Sequence, residues 1–229
     1  MIVFSVNHFT DPSRVLMRPM LHLLICLVYA QWAIAETKFP DSDQLALLKR
    51  GEILVQTVEN DKPGVTARVT ALFNTDADSI WNIIGYCKNG LIYMHGLKTC
   101  EVLEGDQFDM IVHHRVRNSW YSPMLDYTFR AQRDREGYGG AKLISGNLNF
   151  LKGYWQLTPL EGEQGVLVVH EISIQTRFPA PKWLVRRSLK QDLPDMLACI
   201  RGLAKSPART NSVQLDLSRC PGEIPPLAN

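Results

Sequence analysis

The sequence predicts an α+β fold, a curved antiparallel sheet of about seven strands wrapped around one long C-terminal helix, with two short helices after the first strands. Three observations predict it. Val185, Leu189, Leu193, Met196, Ile200 and Leu203 recur at steps of four, four, three, four and three, which is one apolar stripe of an amphipathic helix. Between residues 97 and 178, short alternating apolar segments are separated by polar turns, the pattern of an antiparallel meander. Finally, that helix is the only element long enough to cover the sheet's apolar face, and a strongly curved sheet gripping one helix leaves a cavity between them.

The chain opens on a segment that does not belong to this fold. Met17, Arg18 and Pro19 lead into the apolar run Leu21–Ala30, and Ala33-Ile34-Ala35 follows. A charged start, an apolar run too short for a comfortable membrane span and an A-x-A site predict a secretory signal peptide over residues 1–35, cleaved after Ala35. Met17 is an alternative start. Ile25 stands before Cys26 where a lipoprotein site would need a small residue, which argues against a lipid anchor there. The product is therefore expected to be periplasmic or secreted.

Residues 36–50 read as a lead-in in which Leu45, Leu47 and Leu48 form a short helical entry, and residues 51–205 as one domain. Strands Ile53–Val58 and Val65–Phe73 flank the turn Asn60-Asp61-Lys62-Pro63-Gly64. In the second, Val65, Ala67, Val69, Ala71 and Phe73 alternate on the inward face. Asn74-Thr75-Asp76 can cap a helix over Ala77–Ile84, and Gly85 and Gly90 punctuate a second one over Lys88–Met94. The strands that follow are Leu97–Leu103, Phe108–Arg117, Leu125–Arg133, Ala141–Phe150, Tyr154–Leu160 and Val166–Phe178, with a tight return at Lys152-Gly153. Pro179 and Pro181 open the long helix, Pro194 interrupts its hydrogen-bond ladder and predicts a kink near Lys190–Asp192, and residues 206–229 form a flexible, proline-containing tail.

These elements and their motifs resemble the START-like helix-grip superfamily. The resemblance rests on Trp81 within DADSIWNIIG, on the run from Gly153 to Pro159 (GYWQLTP) and above all on FPAPKWLVRRSLKQDLPDML, and it covers roughly residues 52–205. It implies the helix-grip fold of polyketide cyclase/dehydrase-like and lipid-transport-type SRPBCC proteins. Catalysts and passive carriers share that scaffold, so the resemblance specifies the fold more narrowly than the activity.

The strand alternation places a candidate site. Met110, Val112 and His114 share the inward face of one strand, Tyr127 and Phe129 that of the next, Trp155 and Leu157 that of the penultimate strand, and His170 and Ile172 that of the last. Leu189, Leu193 and Met196 face them from the helix stripe. This is a mostly apolar lining with a few polar tips, suited to a lipid or another hydrophobic small molecule with one hydroxyl or carbonyl. The leading expectation is an exported carrier that binds such a molecule without transforming it, with no catalytic residue and no cofactor. The alternatives are an aromatase/cyclase-type enzyme, with His114 or His170 as general base and Tyr127 polarising a carbonyl, and an accessory module for another exported protein.

Other classes are excluded by what is missing. The chain carries 25 Lys and Arg against 23 Asp and Glu, and loss of Asp11, Arg14 and Arg18 with the leader leaves a net charge of +1. Such near-neutrality argues against a nucleic-acid partner. Adjacent His113 and His114 point to opposite faces and no Cys or carboxylate spacing matches a metal site, so no metal is expected. Of the four cysteines beyond the leader, Cys87 and Cys100 are the first pair to test for a bridge, Cys199 is expected to pack as a small apolar residue, and Cys220 has no evident partner. Lys182, Arg186 and Lys190, joined by Arg187, form a basic row that suits either solvent or transient contact with anionic lipid headgroups. A monomer is expected.

Overall fold

The computed structural model describes residues 40–59, 61–120, 122–161, 165–204 and 220–221. The predicted signal peptide and nearly all of the predicted tail lie outside the described residues. Among the described residues eight strands, one more than about seven, form a single antiparallel sheet. In chain order they are β1 (Ile53–Val58), β2 (Val65–Phe73), β3 (Leu97–Gly105), β4 (Asp109–Val116), β5 (Leu125–Arg133), β6 (Tyr138–Gly146), β7 (Leu148–Pro159) and β8 (Val166–Thr176). The spatial order is β1-β2-β8-β7-β6-β5-β4-β3, so the first hairpin is stitched to the last strand. Val69 faces His170 and Ala67 faces Ile172 across that seam.

The helices are α1 (Ser42–Lys49), α2 (Ala77–Ile84), the single turn α3 (Gly90–Tyr93), which follows a 3-10 turn at Cys87–Asn89, and α4 (Lys182–Ala204). Asp41 caps α1 by accepting the Gln44 N–H at 2.8 Å while the Gln44 side chain reaches back to the Asp41 N–H. Asp76 caps α2 in the same way, from the Ser79 N–H at 2.7 Å. The predicted helix over Lys88–Met94 is therefore a 3-10 turn continued by one α turn, and Gly90 lies buried at their junction, its α-carbon close to Leu97.

The return predicted at Lys152-Gly153 is corrected. The chain reverses at Asn147, between β6 and β7, and β7 runs unbroken through Gly153. Asn147 builds that reversal with its side chain, accepting the Asp126 N–H and donating to the Met124 carbonyl, both at 2.8 Å. Gly146 supplies a φ of 124°, which side-chain-bearing residues avoid. Gly153 stays in the ladder between Ala141 and Ile172, where an added Cβ would come within 3.0 Å of the Glu171 carbonyl oxygen.

The core has two parts. One joins Ala67, Val69, Ala71 and Phe73 of β2 with Val166 and Val168 of β8, Ile80 and Trp81 of α2, and the C-terminal half of α4; the other gathers Leu97, Val116, Tyr127, Leu148 and Leu151. Helix α4 packs on β1, β2, α2 and α3. Only its second half is gripped: Leu193, Met196, Leu197, Ala198, Cys199 and Ile200 are buried, whereas Lys182, Trp183, Leu184, Arg187 and Lys190 are exposed. The helix continues through Pro194, which has no N–H to give the Lys190 carbonyl.

Two disulfides tie this frame. Cys87–Cys100 joins the 3-10 turn to β3, and Cys199–Cys220 joins α4 to a residue 21 positions further on. The second corrects both expectations for those cysteines: Cys199 is fully buried, as a small apolar residue would be, but Cys220 packs against the same core and bridges to it. On the outer face of β8, Glu171 is buried beneath Lys62, which donates to Oε1 at 2.6 Å, and Arg68, which donates to Oε2 through Nε and Nη2 at 3.0 and 2.7 Å.

Candidate functional site

A cavity of about 190 Å³ opens between the inner face of the sheet, α2, α3 and the middle of α4. Strand alternation turns Met110, Val112 and His114 of β4 into it, beside Tyr127 and Phe129 of β5. Trp155 of β7 and His170 and Ile172 of β8 close another side, and Met196 of α4 covers them. Leu157, Leu189 and Leu193, expected on the same lining, pack instead into the core formed with β2 and α2. The physical reason is the crossing of α4 over the sheet. Helix α4 packs on β1 and β2, and of its stripe residues only Met196, further along, lines the cavity.

Several lining groups escaped the sequence reading. Trp81, Tyr93 and Met94 come from the two short helices, and Gly139, Gly140 and Gly153 leave bare backbone on the sheet. A Cβ on Gly139 would meet the Trp81 ring at 2.7 Å, so glycine there lets the indole lie on the strand. Arg133 was also missed, although it shares the parity of Tyr127, Phe129 and Ala131 on β5, which was the signal that could have found it.

The polar tips have defined partners. His170 Nδ1 lies 2.9 Å from the Tyr154 carbonyl, which can only accept, so the proton is on Nδ1 and Nε2 carries the lone pair. The ring is stacked on Trp155 with centroids 4.0 Å apart. His114 Nε2 lies 3.0 Å from Cys100 Sγ, and its Nδ1 lies 3.4 Å from the Tyr127 hydroxyl. A disulfide sulfur carries no hydrogen, so Nε2–H donates to it and the Tyr127 O–H donates to Nδ1. Burial pushes both imidazoles down from the ordinary 6.5 to about 4, with His113 adding a smaller push at His114. Burial also pushes the Tyr127 and Tyr93 hydroxyls up. At neutral pH the two imidazoles and the phenols are therefore neutral, and Arg133 is the charged side chain of a mostly apolar lining.

The expectation that no metal-ligand set exists is modified. Cys87, Cys100 and His114 bring one ligand atom each within 4.8 Å of one another, a grouping that their sequence spacing conceals. The two sulfurs are bonded to each other, which removes the thiolates that a metal would need.

A curved antiparallel sheet closed by a C-terminal helix over an apolar cavity defines the helix-grip class of ligand-binding proteins. The chain belongs to the family described as polyketide cyclase / dehydrase and lipid transport, whose model matches residues 74–201. In fold it is similar to the STAR-related lipid transfer protein from Xanthomonas axonopodis, with 15% identity, a TM-score of 0.57, and 67% of this chain and 94% of that chain covered. It is similar as well to the Zhui aromatase/cyclase from Streptomyces sp. R1128, with 15% identity, a TM-score of 0.51, and 66% and 94% covered. No curated protein sequence matches it.

Proposed function

We propose that this protein is an exported carrier that holds a lipid or another hydrophobic small molecule in the cavity beneath α4 and releases it unchanged. The observation that carries this reading is the state of the two cavity histidines. Both nitrogens of His114 are engaged, by Cys100 and by Tyr127. His170 keeps a lone pair, but an imidazole held near 4 is a weak base at neutral pH. Binding groups are present and a poised acid–base pair is not, which favours carriage over the aromatase/cyclase alternative. The two disulfides suit an oxidising compartment and so support export.

Transient membrane contact belongs to this reading. The ungripped half of α4 presents Trp183 and Leu184 beside Lys182, Arg187 and Lys190. Asn118 donates to Ser188 and Asp192 at 3.3 and 3.4 Å, holding against that half the loop that carries Trp120, which is 89% exposed. Interfacial tryptophans with basic neighbours suit an anionic lipid surface, at about 1 kcal/mol per basic residue. The test is organic extraction and mass spectrometry of protein purified from the periplasm, with uptake from a lipid panel. Co-purified hydrophobic molecules of unaltered structure support the carrier. Turnover of such a molecule to a new product overturns it.

A further inference from the structure

The inward row of β5, Tyr127, Phe129 and Ala131, ends on a cation. Arg133 pairs with Gly139 at the end of β5 and lines the cavity. Its guanidinium carbon lies 5.1 Å from the centroid of Trp81 and 4.8 Å from that of Phe108. Both rings lie within cation–π range of the guanidinium and can hold it in place while its N–H groups remain available to a ligand. Asp134, next to Arg133, and Asp106, two residues before Phe108, accept backbone N–H groups. Asp106 Oδ1 accepts the Phe108 and Asp109 N–H groups, at 2.8 and 3.2 Å. Asp134 Oδ1 accepts those of Glu136 and Tyr138, at 2.9 and 2.8 Å. Among the described residues no carboxylate pairs with Arg133.

The remaining wall is mostly apolar, and its size limits the ligand. A cavity of about 150 Å³ takes benzene, so about 190 Å³ suits a single-chain or small-ring molecule and not a two-chain phospholipid. Tyr127 and Arg133 are six residues apart on one strand, roughly 20 Å at 3.3 Å per residue, so the site is elongated with the cation at one end. We propose that the molecule carried is a hydrophobic monocarboxylate, its carboxylate bound at the Arg133 guanidinium and its apolar body laid along Ala131, Phe129 and Trp155 toward Tyr127. This rests on the carrier reading and assigns the ligand's charged group. A carboxylate meets the guanidinium fork with two parallel hydrogen bonds, which an alcohol or ester cannot match.

The experiment is calorimetric titration of the full chain with decanoate and with decan-1-ol at pH 8, for the wild type, Arg133→Gln and Arg133→Lys. The wild type is expected to bind decanoate about tenfold or more tightly than decanol, a preference that weakens as salt is raised. Arg133→Gln is expected to lose the preference while keeping its affinity for decanol, which also reports that the variant is folded. Arg133→Lys, with a point charge in place of the fork, is expected to keep part of it. Equal binding of the two probes by the wild type, or a preference that survives Arg133→Gln, overturns the carboxylate assignment and leaves the carrier standing. Uptake of neither probe overturns both.

Discussion

The imidazole of His170 lies almost parallel to the indole of Trp155, 19° between planes, while its Nδ1–H is spent on the Tyr154 carbonyl. That placement, like His114 between Cys100 and Tyr127, has no room for a second proton without loss. Each folded-state pKa is near 4, against 6.5 for an ordinary imidazole. The unfolded chain therefore binds more protons between those values. Stability is complete above 6.5 and falls as pH drops toward 4, by about 3 kcal/mol per histidine at the acid limit. Urea midpoints at pH 7.5 and 4.5 should differ accordingly, and His170→Gln should remove about half of the slope. Equal midpoints would show that the two histidines are solvated.

Ala131 turns inward between Met110 and Ala141, in the middle of the proposed ligand path. Ala131→Phe puts a ring into space that is open in the wild type. We expect uptake of a neutral probe such as decan-1-ol to drop by about tenfold or more, with any loss of stability kept below the 1–3 kcal/mol typical of overpacking a filled core. Calorimetric titration beside a thermal melt reads both quantities. Undiminished uptake in a folded variant would move the ligand out of this cavity.

What the sequence made legible follows from where its signals are redundant. Strand Leu125–Arg133 was bounded correctly because period-2 alternation and polar flanks agree there. The β6–β7 boundary was missed because Lys152-Gly153 looks like a turn, while the real reversal depends on Asn147 reaching two backbone groups of the β5 approach, a tertiary fact. Alternation found His114, Tyr127, Trp155 and His170 and could have found Arg133. The same rule could not separate Leu157 from Trp155, since both point inward and only tertiary packing leaves Leu157 in the core and Trp155 on the cavity wall. Cys199 is buried, and nothing in its spacing from Cys220 distinguishes packing from bridging.

Glu171 is the buried charge of the outer face, its side chain 4% exposed. Burial alone would raise its carboxyl, but the hydrogen bonds from Lys62 and Arg68 outweigh that and hold it below the ordinary 4.5 of a glutamate. Glu171→Gln leaves two partly buried cations without their anion. Because Lys62 and Arg68 keep some solvent, we expect a loss of about 1–3 kcal/mol, less than for a fully buried pair. The carboxylate's contribution is present above its unfolded pKa and is lost as pH falls through the lower folded value, so the variant should show a shallower acid transition below pH 4.5. Denaturation of both proteins at pH 7 and pH 3.5 checks this, and a variant as stable as the wild type at pH 7 would make the network dispensable.

The two disulfides should be equal in stability and unequal in function. They close loops of 13 and 21 residues in sequence separation, and the chain-entropy estimate is about 3 kcal/mol for either. Cys87→Ser and Cys220→Ser each remove one bridge and leave one thiol, so their urea midpoints should fall together. Their surroundings differ. Cys87 and Cys100 form part of the cavity wall, and Cys100 Sγ is the acceptor that fixes the His114 ring. Cys220 packs on the core formed by β2, β8 and α4, away from the lining. Breaking the first bridge frees His114 and loosens the wall next to Tyr127, whereas breaking the second only lengthens the unfolded chain's reach. Ligand uptake, measured at a temperature where both variants are folded, should weaken for Cys87→Ser and remain at the wild-type level for Cys220→Ser. The reverse pattern would place the functional cavity on the Cys199 side of α4.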